Sequence, residues 1–97
     1  MGTDIVLLDI GKITLVADYF VIATGETQRQ LGAIAEDVRQ VIKDLGVAVR
    51  PTEGGVESGW VLLDFGSVVV HLFSPAQRDF YQLEELWSEA RTIVRMA

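Results

Sequence analysis

The sequence predicts an α/β (α+β) domain built on a mixed five-stranded sheet with helices. Three observations support this. The length of 97 residues fits one domain. The hydrophobic share of 49% can supply a core. Short apolar runs rich in branched residues alternate with segments of helical periodicity, in the order strand, strand, helix, three strands, helix.

The first two strands are short and apolar on both faces. Residues 4–10 (DIVLLDI) and 18–24 (DYFVIAT) are typical of buried strands, and glycine follows each of them. We also predict a short strand over residues 47–50, ended by Pro51, and a glycine-rich loop over residues 52–59.

The clearest helix is predicted over residues 27–45. Thr27 and Gln30 have the spacing of a capping box, and Gly46 is a typical helix stop. Its apolar stripe consists of Leu31, Ile34, Ala35, Val38, Val41, Ile42 and Leu45. A second helix is predicted to open at Ser74-Pro75 and a final one to run from Phe80, with Leu83, Leu86, Trp87, Ala90 and Val94 at helical spacing.

The most informative pattern is the predicted hairpin of residues 60–65 and 68–73, with Gly66-Ser67 as a type II′ turn. In this register Phe65 opposes Val68, Leu63 opposes Val70, and Val61 opposes Leu72. That wholly apolar face should lie on the helices. The other face carries Trp60, Leu62, Asp64, Val69, His71 and Phe73.

This second face has two interpretations, which can hold together. A helix covers it, or its aromatic residues form a protein-binding surface rimmed by charge. Since the chain carries 14 acidic against 8 basic residues, net charge −6, it is poorly suited to direct nucleic-acid recognition and better suited to a basic partner. There is no cysteine and one histidine, so no cofactor or metal is expected; no apolar run approaches membrane-spanning length.

Other candidate sites are weaker. His71 is expected to be a hydrogen-bonded strand histidine, because no serine or cysteine is evidently placed to complete a triad. The strand-to-helix turn from Gly25 to Thr27 could hold a phosphate, but simple helix capping is favoured. Glu53 and Glu57 are expected to be solvated loop residues.

Five blocks, taken in order, closely resemble the ribosomal silencing factor family, also called Iojap. They are residues 18–25 (DYFVIATG) with Arg29-Gln30, Glu53-Gly54, residues 60–66 (WVLLDFG), residues 68–73 (VVVHLF) and residues 80–87 (FYQLEELW). Each block alone is weak, but the ordered set is highly specific and spans residues 4 to about 90; the tail from Arg91 to Ala97 lies beyond it. The family's usual helix before the first strand is not found, so we expect one domain over residues 1–97 that lacks it.

The resemblance implies a nucleotidyltransferase-like topology without its catalysis, and a regulator rather than an enzyme. It implies binding to the large ribosomal subunit through its protein number fourteen, a basic protein, which sterically blocks joining of the small subunit and represses translation. It implies a bacterial cytoplasmic protein, or one of an organelle's stroma or matrix. Exposed apolar surface could also favour a homodimer. The alternative function is a nucleotide- or phosphate-binding enzyme using residues 25–27.

The resemblance and the hairpin pattern together give the candidate contact residues. Trp60 and Asp64 are the strongest, with Leu62, His71 and Phe73 beside them. Tyr81 and Glu84 complete the predicted partner-binding set.

Overall fold

The computed structural model describes residues 3–11, 17–47, 53–82 and 90–96. These residues form one six-stranded sheet of order β3-β4-β5-β2-β1-β6, with helices and a short 3-10 turn. The elements are β1 (Thr3–Asp9), β2 (Tyr19–Thr24), α1 (Gln28–Asp44), β3 (Glu53–Gly55), the 3-10 turn (Val56–Ser58), β4 (Trp60–Asp64), β5 (Val68–Phe73), α2 (Pro75–Tyr81) and β6 (Arg91–Met96).

The predicted mixed α+β fold is confirmed. Strands β2 and β5 pair in parallel at the centre of the sheet, and the other pairings are antiparallel. A short strand, β3, lies inside the segment predicted as a loop. The strand predicted over residues 47–50 falls largely outside the described residues, and Val47 itself has no regular structure.

The sixth strand corrects the prediction of a helix that continues to Val94. Residues Arg91–Met96 form β6, which pairs antiparallel with β1. Three consecutive β-branched residues, Thr92 to Val94, favour this extended backbone over a helix. Residues 83–89 lie outside the described residues, so that part of the predicted helix stays a prediction.

Helix α1 begins and ends where the sequence predicts. The Thr27 hydroxyl accepts a hydrogen bond from the Gln30 amide at 3.1 Å. The Gln30 side chain accepts one from the Glu26 amide at 2.7 Å, one residue earlier than in the standard capping box. After the helix, Gly46 takes a φ of 81°, as a helix stop requires.

The β4–β5 hairpin has the predicted register. Val61 pairs with Leu72 and Leu63 with Val70, while Gly66 takes the positive φ that its turn needs. This face packs on Leu31 and Ala35 of α1, so the predicted helix-facing side is confirmed. Val41 and Leu45, predicted to belong to the apolar stripe, are instead exposed because they lie at the end of α1, beyond that contact.

The opposite face of the sheet is also a core. Its buried members are Val6, Leu8, Ile10, Ala17, Phe20, Ile22, Val69 and Phe73. Trp60, Leu62 and Ala90 pack against them and stay partly exposed. The aromatic face of the hairpin therefore lies at the border between a core and the protein surface.

Candidate partner-binding surface

The structure separates the predicted contact residues by depth. Trp60, Leu62 and Asp64 are half-buried on β4. His71 is 5% exposed and Phe73 is fully buried, so these two side chains offer little surface to a partner, and their contact with one stays a prediction. The reason is that neighbouring elements cover them: Phe20 meets the His71 ring, and Tyr81 meets Phe73. Glu84 lies outside the described residues.

Six rings form one connected group. We call five of them the aromatic cluster: Trp60, His71, Phe73, Phe80 and Tyr81; the sixth, Phe20, contacts His71 from the core. The Trp60 ring centroid lies 5.2 Å from that of Phe73 and 4.6 Å from that of Tyr81. Phe80 meets Tyr81 edge-on at 5.0 Å. Aromatic pairs of this kind contribute about 0.5–1.5 kcal/mol each beyond area burial, so α2 and β4 support each other here.

The exposed part of the aromatic cluster is on α2. Tyr81 is 37% exposed and Phe80 is 76% exposed, the highest fraction among the large hydrophobic residues described. Sequence reasoning placed Tyr81 in the site but missed Phe80. No pattern in the sequence pointed to Phe80: it faces outward because Arg78, two positions earlier on the helix, is buried, and that burial is a structural observation.

His71 links the cluster to the core as a neutral side chain. The Trp60 indole Nε1–H donates to His71 Nδ1 at 3.3 Å, which leaves the ring proton on Nε2. Among the described residues Nε2 finds no hydrogen-bond partner. Burial lowers the pKa of His71 from 6.5 to about 4. His71 is thus a buried, hydrogen-bonded strand histidine, as the sequence favoured.

Asp64 has a local structural role at the hairpin turn. Its carboxylate accepts a hydrogen bond from the Gly66 amide at 2.8 Å and so supports the β4–β5 connection. The side chain stays half-buried and reachable from solvent.

The turn that could have held a phosphate is occupied by the chain's own hydrogen bonds. The Gly25 amide donates to the Phe73 carbonyl at 2.9 Å, and the Glu26 and Gln30 amides serve the cap of α1. A Cβ on Gly25 would lie 2.9 Å from Leu31, so this glycine permits close packing of strand and helix. The geometry supports capping, the interpretation favoured from the sequence.

The described residues contain no group of three or more histidine, cysteine or carboxylate side chains that could hold a metal ion. Glu57 is exposed on the 3-10 turn. Among the residues that the structure describes, no helix is long and apolar enough to cross a membrane. Fold and site together define a small mixed-sheet domain whose distinctive surface is aromatic.

Comparisons with known proteins identify this class of domain. A family model described as ribosomal silencing factor during starvation matches residues 1–97. The ribosomal silencing factor RsfS of Bacillus subtilis is 45% identical over 87 residues, covering 90% of this chain and 74% of the relative. A crystal structure of a Chromobacterium violaceum protein has a TM-score of 0.86 and 42% identity, covering 90% of this chain and 72% of that one.

A more distant relative comes from a eukaryote. The mouse protein named mitochondrial assembly of ribosomal large subunit protein 1 is 35% identical over 88 residues, covering 88% of this chain and 39% of the relative. The chain belongs to the ribosomal silencing factor family. Its members are non-enzymatic regulators, and this membership confirms both the resemblance and the prediction that the chain is not an enzyme.

Proposed function

We propose that the protein binds the large ribosomal subunit and blocks joining of the small subunit, which represses translation. The contact is protein number fourteen of the large subunit, and the mechanism is steric. The observation that carries the proposal is the exposed Phe80–Tyr81 pair, in which the Tyr81 ring packs on Trp60. Solvent-exposed aromatic anchors backed by a packed layer are the usual make-up of a protein-binding hot spot.

Charge supports a basic partner. The net charge is −6, and Asp79 is exposed immediately before Phe80 on α2. Glu57 is exposed on the 3-10 turn before β4, and Asp64 is accessible at its end. Of these acidic residues, Asp79 adjoins Phe80 in the chain. Acidic surface residues complement a basic protein surface, because charge speeds encounter while the apolar rings supply most of the affinity.

Family membership supports a ribosomal partner. Matching relatives carry names that refer to ribosomal silencing and, for the mouse protein, to assembly of the large ribosomal subunit. The protein would then work wherever its ribosomes are, in the bacterial cytoplasm or in an organelle.

The test is sedimentation of the protein with purified large subunits, with small subunits added afterwards. Phe80→Ala should weaken binding by about 2 kcal/mol, roughly 30-fold, while leaving the fold unchanged because the ring is exposed. Leu45→Ala is the matched control: it removes an equally exposed apolar side chain, 71% accessible, from the end of α1. It should bind like the unmodified protein.

Two results would overturn the proposal. One is failure of the unmodified, folded protein to sediment with large subunits. The other is binding that leaves the yield of joined ribosomes unchanged. Equal losses for Phe80→Ala and Leu45→Ala would remove α2 from the contact surface.

The aromatic cluster could also bind a second copy of the chain. A homodimer through Phe80 would cover the surface that the ribosomal partner needs, so the two complexes would compete. Analytical ultracentrifugation with and without the isolated ribosomal protein measures this: the partner should convert dimer to heterodimer, and a dimer that persists in the complex would place its interface elsewhere.

A further inference from the structure

Helix α2 carries the exposed aromatic pair but is too short to be stable alone. It has seven residues, Pro75–Tyr81, whereas isolated helices below about 12 residues are marginal in water. Its orientation therefore depends on the contacts that tie it to the sheet. Those contacts decide whether Phe80 and Tyr81 are presented together with Trp60.

The first turn of α2 is anchored by ordinary capping. The Ser74 hydroxyl accepts from the Gln77 amide at 3.3 Å. The Ser74 amide donates to the Gly59 carbonyl at 2.8 Å, and the Gln77 side chain donates to the Ser58 carbonyl at 3.2 Å. These bonds fix where the helix starts, whereas its last turn is in contact with the sheet through the packing of Tyr81 on Trp60 and Phe73.

The side-chain hydrogen bond nearest that last turn is made by Arg78. Its side chain is buried, 8% exposed, and the guanidinium Nη1–H donates to the Thr24 hydroxyl at 2.9 Å. Thr24 is itself 5% exposed and ends β2. The bond joins positions 54 residues apart in the chain. A buried charged donor makes a strong hydrogen bond, and the loss of its acceptor is costly.

The position of Thr24 explains why this bond can orient the helix. In the parallel β2–β5 register Thr24 lies beside Phe73, and α2 begins two residues after Phe73. Arg78 and Tyr81 are three residues apart, hence on one side of the helix. Drawing Arg78 inward thus turns Tyr81 toward Trp60 and leaves Phe80 pointing to solvent.

We propose that Arg78, through its hydrogen bond to Thr24, is a positioning residue that sets the orientation of α2 and so the geometry of the partner-binding surface. This inference rests on the proposed function for its meaning, but the orientation itself can be measured without any partner. Removing Arg78 would open a gap in a buried contact, so the test changes the acceptor instead.

The variants are Thr24→Val, which keeps the shape and loses the hydroxyl, and Thr24→Ser, which keeps the hydroxyl. Hydrogen exchange followed by mass spectrometry reports on the backbone amides of residues 76–82, since Pro75 has none. Thr24→Val should speed their exchange about tenfold, the size expected for loss of a charged hydrogen bond, while β4 and β5 keep their protection. Thr24→Ser should restore slow exchange. Ala35→Gly, which weakens α1, is the control for general destabilisation and should not act on α2 selectively.

Binding to purified large subunits is the second measurement. Thr24→Val should lower the affinity at least fivefold, and Thr24→Ser and Ala35→Gly should not. The inference is overturned if Thr24→Val and Thr24→Ser exchange alike in α2, if Ala35→Gly speeds α2 as much as Thr24→Val does, or if exchange in α2 rises with no change in affinity. Failure of the unmodified protein to bind subunits would overturn the proposed function, and the exchange data would still decide whether Arg78 sets the orientation of α2.

Discussion

The burial of neutral His71 makes the stability of the fold depend on pH below neutrality. The unfolded chain has the ordinary histidine pKa of 6.5, and the folded chain has a pKa of about 4 because burial disfavours the imidazolium ion. As the pH falls from 6.5 toward 4, His71 becomes protonated in the unfolded state but stays neutral in the folded state. Stability is therefore fully present above pH 6.5 and is lost progressively toward pH 4.

The magnitude follows from the two pKa values. The full difference corresponds to roughly 3 kcal/mol, and lowering the pH from 7 to 5 should remove about 2 kcal/mol of it. Urea unfolding at pH 7 and pH 5, followed by far-UV circular dichroism, measures the loss directly.

His71→Asn is the matched variant. The asparagine amide oxygen lies near the position of Nδ1 and can accept the Trp60 hydrogen bond, but it does not titrate. Because His71 is the only histidine in the sequence, this variant should lose most of the pH dependence between 7 and 5. An equal loss of stability in both proteins would refute the assignment of the effect to His71.

Three further changes test the packing. Gly59→Ala should destabilise the fold by about 2 kcal/mol or more, because the φ of Gly59 is 76° and a Cβ there would lie 2.7 Å from the Ser74 hydroxyl. Gly66→Ala should cost only about 1 kcal/mol, because Gly66 has a φ of 85° but open space around it. The urea midpoints of the two variants test this difference. Leu63→Ala should cost about 2–5 kcal/mol, since Leu63 is fully buried under α1, and a thermal midpoint lowered by only a degree or two would contradict this. Thr27→Ala should cost about 1 kcal/mol by loss of the cap of α1, seen as reduced stability to urea.

Sequence patterns were sufficient to predict the elements whose ends or register are set by residues close to them in the chain. The ends of α1 depend on Thr27, Gln30 and Gly46, all within or beside the helix. The hairpin register depends on Gly66 and on strict alternation of side chains in β4 and β5. Strand β6 was missed because Ala90 and Val94 fit a helical spacing, although the β-branched run between them pointed to a strand.

The depth of each residue in the candidate site could not be predicted in the same way. Alternation correctly put Trp60, His71 and Phe73 on one face of the sheet. It could not reveal that Phe20, about 50 positions earlier in the chain, and Tyr81 from α2 would cover that face. Burial on that face is a result of tertiary packing. The exposure of Phe80 was therefore found only in the structure.

The parallel pairing of β2 with β5 also has a consequence for synthesis of the chain. The two strands lie side by side at the centre of the sheet, yet β5 begins at position 68, 44 residues after β2 ends. At usual elongation rates of about 5–20 residues per second, β2 waits about 2 to 9 s for its partner. During that interval the apolar β1–β2 pair offers an open strand edge to other nascent chains. We therefore expect edge-to-edge association with other chains to be possible during synthesis, before β5 covers the edge of β2.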